Sequence, residues 1–171
     1  MSTTISLCAM CATRGLTCCQ GIDRDIYITK GDLDRIKGFW GRDDFYEFRR
    51  PTDPDYADND DDPVWAACVF RPDGSRRVLK KTSAGCCFLK TDGCVLPLHI
   101  RPLVCRLYPY DYNCDGFYEA FADGCPVNLL PQGRTLDQCL GMNPSEARGW
   151  HQALYAEILL EDGADENRIN L

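Results

Sequence analysis

Ten of the twelve cysteines fall in two separated groups, and no other feature of the sequence constrains the fold as strongly. One group opens the chain, in CAMCATRGLTCC, with Cys8, Cys11, Cys18 and Cys19. The other runs from Gly85 to Pro126 and carries Cys86, Cys87, Cys94, Cys105, Cys114 and Cys125; only Cys68 and Cys139 stand outside both. Thiols drawn from two distant segments point to a centre around which the chain closes. Three chemistries use cysteines in such numbers: disulfides, thiol redox exchange and metal-thiolate binding.

Disulfides are the least suited. A chain of 171 residues can bury a hydrophobic core of its own, so it lacks the need of small secreted domains for covalent staples. The opening residues show no basic stretch followed by an apolar run of signal-peptide length. Nowhere does the sequence reach the run of about eighteen apolar residues that a membrane helix needs. The expected compartment is therefore the cytoplasm, where clustered cysteines more often hold metal than pair. Cys18-Cys19 and Cys86-Cys87 are adjacent, and a trans Cα step of about 3.8 Å falls short of the roughly 4.4–6.8 Å of a disulfide. Redox exchange has only Cys8-x-x-Cys11 to offer, outside any strand–helix context of that chemistry.

Charge excludes other partners. A net charge of −7 and a pI near 4.8 argue against nucleic acid and anionic membrane, both of which need a basic face. Arg76, Arg77, Lys80 and Lys81 form the one basic run, expected as a solvated strand. The acidic stretch 52–63 lacks the glycine and glutamate of an EF-hand loop and reads as a solvated loop.

Local signals give short elements. Residues 26–29 read as a strand, and Thr29 with Asp32 three positions on forms a capping box for a helix ending at Gly38. Residues 42–49 suggest another short helix. VWAACVF (64–70) and SRRVLKK (75–81) flank Pro72-Asp73-Gly74 as a β-hairpin. A second hairpin joins YPYDYN to FYEAFA through a turn at Cys114-Asp115-Gly116. Asn143-Pro144 opens a C-terminal helix of about 144–161, with Ala147, Trp150, Leu154 and Ile158 as its apolar stripe.

The central group has neighbours suited to a metal site. Gly85 and Gly93 permit tight turns, while Arg101-Pro102 and Tyr108-Pro109 fix the backbone on either side of Cys105. Arg101 and Arg106 bracket that cysteine, where positive charge lowers a thiol pKa. Cys125-Pro126 is like the pair that closes bacterial ferredoxin motifs.

Taken in order, these residues resemble the cysteine-cluster proteins of the YkgJ type, the CxxCxxCC or zinc- or iron-chelating domain family. Cys8, Cys11, Cys18 and Cys19 match the first motif, although six residues rather than two separate Cys11 from Cys18. Ile28-Thr29, Asp32 and Arg35 match the strand and helix that follow. Cys86, Phe88 and Leu89 match C-x-F-L, leaving Cys87 as the variable position. Gly93-Cys94, Arg101-Pro102, Cys105-Arg106, Pro109 and Cys125-Pro126 complete the match.

The resemblance implies metal ligation by Cys8, Cys11, Cys18, Cys19, Cys86, Cys94, Cys105 and Cys125. It covers roughly 8–126; the C-terminal helix and Cys139 lie outside it. The cofactor is an iron-sulfur cluster of 4Fe-4S type or zinc. Only Cys8/Cys11 has the tight pairing usual for structural zinc, and the family also resembles the cysteine-rich part of flagellin lysine methylase, which favours the cluster. The expected architecture is a single α+β domain over 1–171, with short helices and β-hairpins wrapped around the cysteine-ligated centre. Two functions stay open: a metal-binding module, with or without a protein partner, and a cluster-dependent enzyme. No catalytic residue is identified in the sequence. In an extended segment, Cys86 and Cys87 point to opposite faces, so Cys86 is the expected ligand and Cys87 the bystander.

Overall fold

The computed structural model describes residues 11, 19–20, 24–53, 61–121 and 127–166. The chain is α+β, built of short helices and four two-stranded antiparallel sheets. After an extended stretch through Tyr27, helix α1 spans Lys30–Trp40. The capping box is formed: Thr29 Oγ1 accepts from Asp32 N at 2.9 Å, and Asp32 Oδ2 accepts from Thr29 N at 3.2 Å. The helix runs past Gly38, whose cost inside a helix is only about 1 kcal/mol, and stops at Gly41 in the left-handed region at φ 74°. The added turn lets the Trp40 ring meet Phe88 edge-on at 5.3 Å.

Strand β1 (Tyr46–Arg49) replaces the short helix expected over 42–49 and pairs with β2 (Arg76–Leu79), Tyr46 opposite Leu79. Tyr and Phe suit a half-buried pleat, and Phe45 is buried against Phe88 just ahead of the strand. The expected hairpin of 64–70 with 75–81 is thus corrected: β2 is a strand, but its partner is β1. Helix α2 (Pro63–Cys68) occupies the other expected strand, because Asp62 caps it through Trp65 N at 3.0 Å and Pro63 takes the first helical position. The turn at Pro72-Asp73-Gly74 is present, with Gly74 at φ 79°. The strand expected at 26–29 is reduced to a bridge between Tyr27 and Val78.

The basic run is not solvated. Arg76 is 3% exposed and lies 4.0 Å from Asp25; Lys81 Nζ is 3.5 Å from Asp25 and Arg77 is 3.0 Å from Glu161. Two residue-pair ladders follow, β3 (Lys81–Thr82) with β4 (Gly85–Cys86) and β5 (Leu89–Lys90) with β6 (Gly93–Cys94). Helix α3 (Leu103–Leu107) carries Cys105. The expected second hairpin forms from β7 (Tyr110–Asn113) and β8 (Gly116–Phe121), with Cys114 in its turn. Helix α4 (Leu136–Leu140) precedes α5 (Pro144–Glu166), which runs beyond the expected end near 161. Asn143 Oδ1 accepts from Ser145 N at 2.8 Å, as the Asn-Pro order requires. Among the described residues no helix is long and apolar enough to cross a membrane.

Two buried clusters share the interior. In one, Leu103 and Leu107 of α3 pack with Ala147, Leu154, Tyr155 and Ile158 of α5, beside Trp65 and Tyr27. In the other, Ile28, Ile36, Phe45, Leu79, Cys86 and Phe88 meet. Tyr27 and Ile28 are neighbours in extended backbone, so their side chains enter opposite clusters. Asp62 links both ends of the first cluster, since Tyr155 Oη donates to its second carboxylate oxygen.

That bond yields a prediction. A hydrogen bond to a charged acceptor is worth about 1.5–3 kcal/mol, so Tyr155→Phe should lower stability by roughly that much in urea unfolding. Burial, followed for Tyr155 by the Asp62 carboxylate, raises the phenol pKa values of Tyr27 and Tyr155 well above the ordinary range. The folded state then keeps protons that the unfolded state loses, so this stabilisation is complete below about pH 10 and declines above it. Urea midpoints at pH 8 and pH 10.5 should show that decline, and it should be smaller in Tyr155→Phe. An equal decline in both proteins would remove Tyr155 from the account.

Candidate metal centre

Glycine geometry brings the two cysteine groups together. Gly85, at φ 117°, adopts backbone that an L side chain rarely takes. A Cβ there would lie 2.6 Å from the Cys19 carbonyl and 3.0 Å from the Gln20 side chain. The space is used: Cys86 N–H donates to that carbonyl at 2.7 Å. Gly93, at φ 105°, turns the chain between β5 and β6 and presents Cys94.

Five of the eight cysteines assigned by resemblance lie within the described residues: Cys11, Cys19, Cys86, Cys94 and Cys105. Cys11, Cys86, Cys94 and Cys105 are free thiols. Cys8, Cys18 and Cys125 lie outside the described residues, so the Cys8-x-x-Cys11 spacing and the closing Cys125-Pro126 have no structural counterpart to compare.

Mutual electrostatics locate the five relative to one another. Burial drives the Cys105 thiol well above its ordinary pKa, and the charges of Cys19 and Cys94 push it further. Cys94 is raised by burial and by Cys19, with Arg101 opposing through its charge and a hydrogen bond. Cys86 is raised first by its hydrogen bond to Cys87, then by burial and by the charge of Cys105. Cys11 is raised by burial and by Cys19. Cys19, Cys94, Cys105 and Cys86 therefore occupy one electrostatic neighbourhood, drawn from four separate stretches of chain. Among the described residues, however, no three His, Cys, Asp or Glu side chains stand close enough together to hold a metal ion. The donors suit a soft metal, while a closed coordination sphere is not formed by these residues alone.

Several expectations change here. Positive charge beside Cys105 does not lower its pKa, because removal from water outweighs Arg101. Arg106 is turned away to the backbone, donating to the Arg101 carbonyl at 2.7 Å and to the His99 carbonyl at 2.7 Å. The His99 side chain is exposed. Cys86 and Cys87 do not simply alternate: the strand ends at Cys86 and Cys87 begins a turn. Interaction with Cys86 holds the Cys87 thiol below its ordinary pKa and raises that of Cys86. Cys87 Sγ also approaches the Phe45 carbonyl at 3.7 Å, on the β1 side. Cys68 packs half-buried against the first cluster, and Cys114 lies by Asp62 in the β7–β8 turn.

One contributor was missed in the sequence. Asp32, completely buried, reaches beyond its own helix: its Oδ1 accepts from Leu103 N at 3.1 Å and from Arg35 at 2.7 Å. Pro102 precedes Leu103 and has no side chain able to cap α3, so Asp32 serves as the cap from 71 residues away. The signal in the sequence was Pro102 at an N-cap position, which leaves the Leu103 amide needing an acceptor from elsewhere.

Comparison of the chain with known protein families, curated proteins and solved structures finds no match in any of the three.

The fit at Gly85 is directly testable. A methyl group there meets backbone and also demands a strained φ, a cost on the order of 1–3 kcal/mol for the strain alone. Gly85→Ala should lower the melting temperature and raise alkylation of Cys19 and Cys86 relative to Cys139. Unchanged melting and unchanged labelling would mean that the Cys19 segment does not dock on β4.

Proposed function

We propose that this chain is a metal-binding cysteine-cluster protein whose thiolates hold an iron-sulfur centre of 4Fe-4S type. The observation that carries the reading is the contact between the two cysteine groups, where Cys86 N–H donates to the Cys19 carbonyl at 2.7 Å. Thiol donors, with Cys8, Cys18 and Cys125 as further donors by resemblance, suit a soft metal better than a hard one. A bound cluster would supply electron transfer or Lewis acidity.

The chain's own residues prepare that role. Arg101 donates to the Leu96 carbonyl at 2.9 Å, and its charge favours the Cys94 thiolate. Phe88, Leu96 and Ile36 keep water from the inner side of Cys86. Burial of the thiols opposes their ionisation, so metal must displace protons to bind. Zinc is the second reading, supported by the same donors. As a cytoplasmic module, the protein would store, sense or deliver its centre, or dock on a protein partner; as a cluster-dependent enzyme, it would need a coordination position not filled by cysteine.

Anaerobic purification followed by iron, sulfide and zinc analysis and an absorption spectrum tests the reading. A brown protein with iron and acid-labile sulfide is expected. Cys105→Ser and Cys86→Ser should each lose most of the metal, since a hydroxyl is a hard substitute for a soft thiolate, while Cys139→Ser should keep it. Stoichiometric zinc without sulfide would replace the cluster with zinc. Absence of any bound metal after anaerobic reconstitution would overturn the proposal.

A further inference from the structure

The element that presents Cys105 cannot hold itself in place. Helix α3 has five residues, begins after a proline and has no cap from its own side chains. A helix this short gains little from its internal bonds. It is anchored by packing of Leu103 and Leu107 against α5, by Arg106 on the preceding loop's carbonyls, and at its first turn by Leu103 N–H on Asp32.

Asp32 is itself held by two further donors. Thr29 N donates to Oδ2 and Arg35 to Oδ1, while Arg35 also spans to Glu157 of α5, at 2.6 Å to Oε1 and 3.0 Å to Oε2. Thr29 Oγ1 donates to the same Glu157 carboxylate. Asp32 thus joins the start of α1, the start of α3 and, through Arg35, the C-terminal helix. A buried carboxylate keeps its place because each partner satisfies it, and losing it leaves the Leu103 amide without this acceptor and the Arg35 guanidinium with Glu157 alone.

We propose that Asp32 is a positioning residue for the metal centre: it holds the Leu103 amide and thereby sets where Cys105 meets the other thiols. The proposal rests on Cys105 being a ligand, as inferred above. Asp32 does not touch the metal. Its action is to restrict the first turn of α3, and Glu157 steadies it through Arg35.

The test uses the full chain, with metal and without. In the metal-free wild type, the Leu103 amide should exchange hydrogen as slowly as the core amides of α5, although first-turn amides usually have no partner. Exchange at the rate of an exposed amide would overturn the proposal without any variant. Asp32→Ala should raise iodoacetamide labelling of Cys105, measured against Cys68 in the same molecule, by roughly tenfold, the equivalent of about 1.4 kcal/mol. Asp32→Asn retains an oxygen for Leu103 and should restore labelling to within about threefold of the wild type, a loss of less than 1.4 kcal/mol. Glu157→Gln should fall between them. In the loaded protein, release of iron to a chelator should rise in the same order.

Equal increases at Cys105 and Cys68 in Asp32→Ala would show a general loosening and overturn the positioning role. So would an Asn variant as labile as Ala. If the wild type binds no metal, the metal reading fails by itself, and labelling and exchange still decide for or against Asp32. If Asp32→Ala does not fold, the decision passes to Leu103 exchange and the Asn and Gln variants.

Discussion

The Asp32 carboxylate is buried, and the three donors around it are Thr29 N, the Arg35 guanidinium and Leu103 N. Burial raises its pKa despite Arg35 and the hydrogen bonds that oppose this. A buried ion pair adds little net stability compared with apolar packing, yet removal of one member is costly. Its structural value lies in direction. Apolar clusters hold α1, α3 and α5 near one another without fixing their ends; the carboxylate fixes two helix starts to a common point. Arg35, shared between Asp32 and Glu157, extends that order to the C-terminal helix.

Legibility followed locality. The capping box at Thr29 and Asp32, the β7–β8 hairpin and the Asn143-Pro144 helix start were readable because each depends on residues within a few positions. The same Asn-Pro logic was present at Asp62-Pro63 and went unread, since those residues sat at the end of an acidic stretch assigned to loop. α2 followed from them. The β1–β2 pairing was not readable: it joins residues some thirty apart, and the turn chemistry at Pro72-Asp73-Gly74 pointed to the wrong partner. Tertiary context settled the strand, as is usual for β structure.

The thiols show a similar division. Spacing separated the two cysteine groups and singled out Gly85 as a close-approach position, and the structure places Cys19 against it. Side-chain direction was a different matter. Cys86 and Cys87 were expected to face apart in extended backbone; the strand ends at Cys86 and a turn begins at Cys87, whose thiol approaches the Phe45 carbonyl. Arg106 was expected to act on Cys105 through charge, and it does interact with that thiol electrostatically while its guanidinium donates to the Arg101 and His99 carbonyls. Neighbouring positions in sequence do not specify which way long side chains leave a buried helix, and here backbone acceptors decided it.

The distances along the chain between bonded partners carry a consequence for biosynthesis. Leu103 and Asp32 are separated by 71 residues, and Thr29 and Glu157 by 128. During translation Cys86, Cys94 and Cys105 leave the ribosome before α5 exists, so the surface that α5 covers stays open while the remaining residues are added. Non-local closure of this kind is paid for late, after the loop entropy has been spent. The nascent chain therefore passes through a period in which its central thiols are made but their scaffold is incomplete, and the synthesis of α5 ends it.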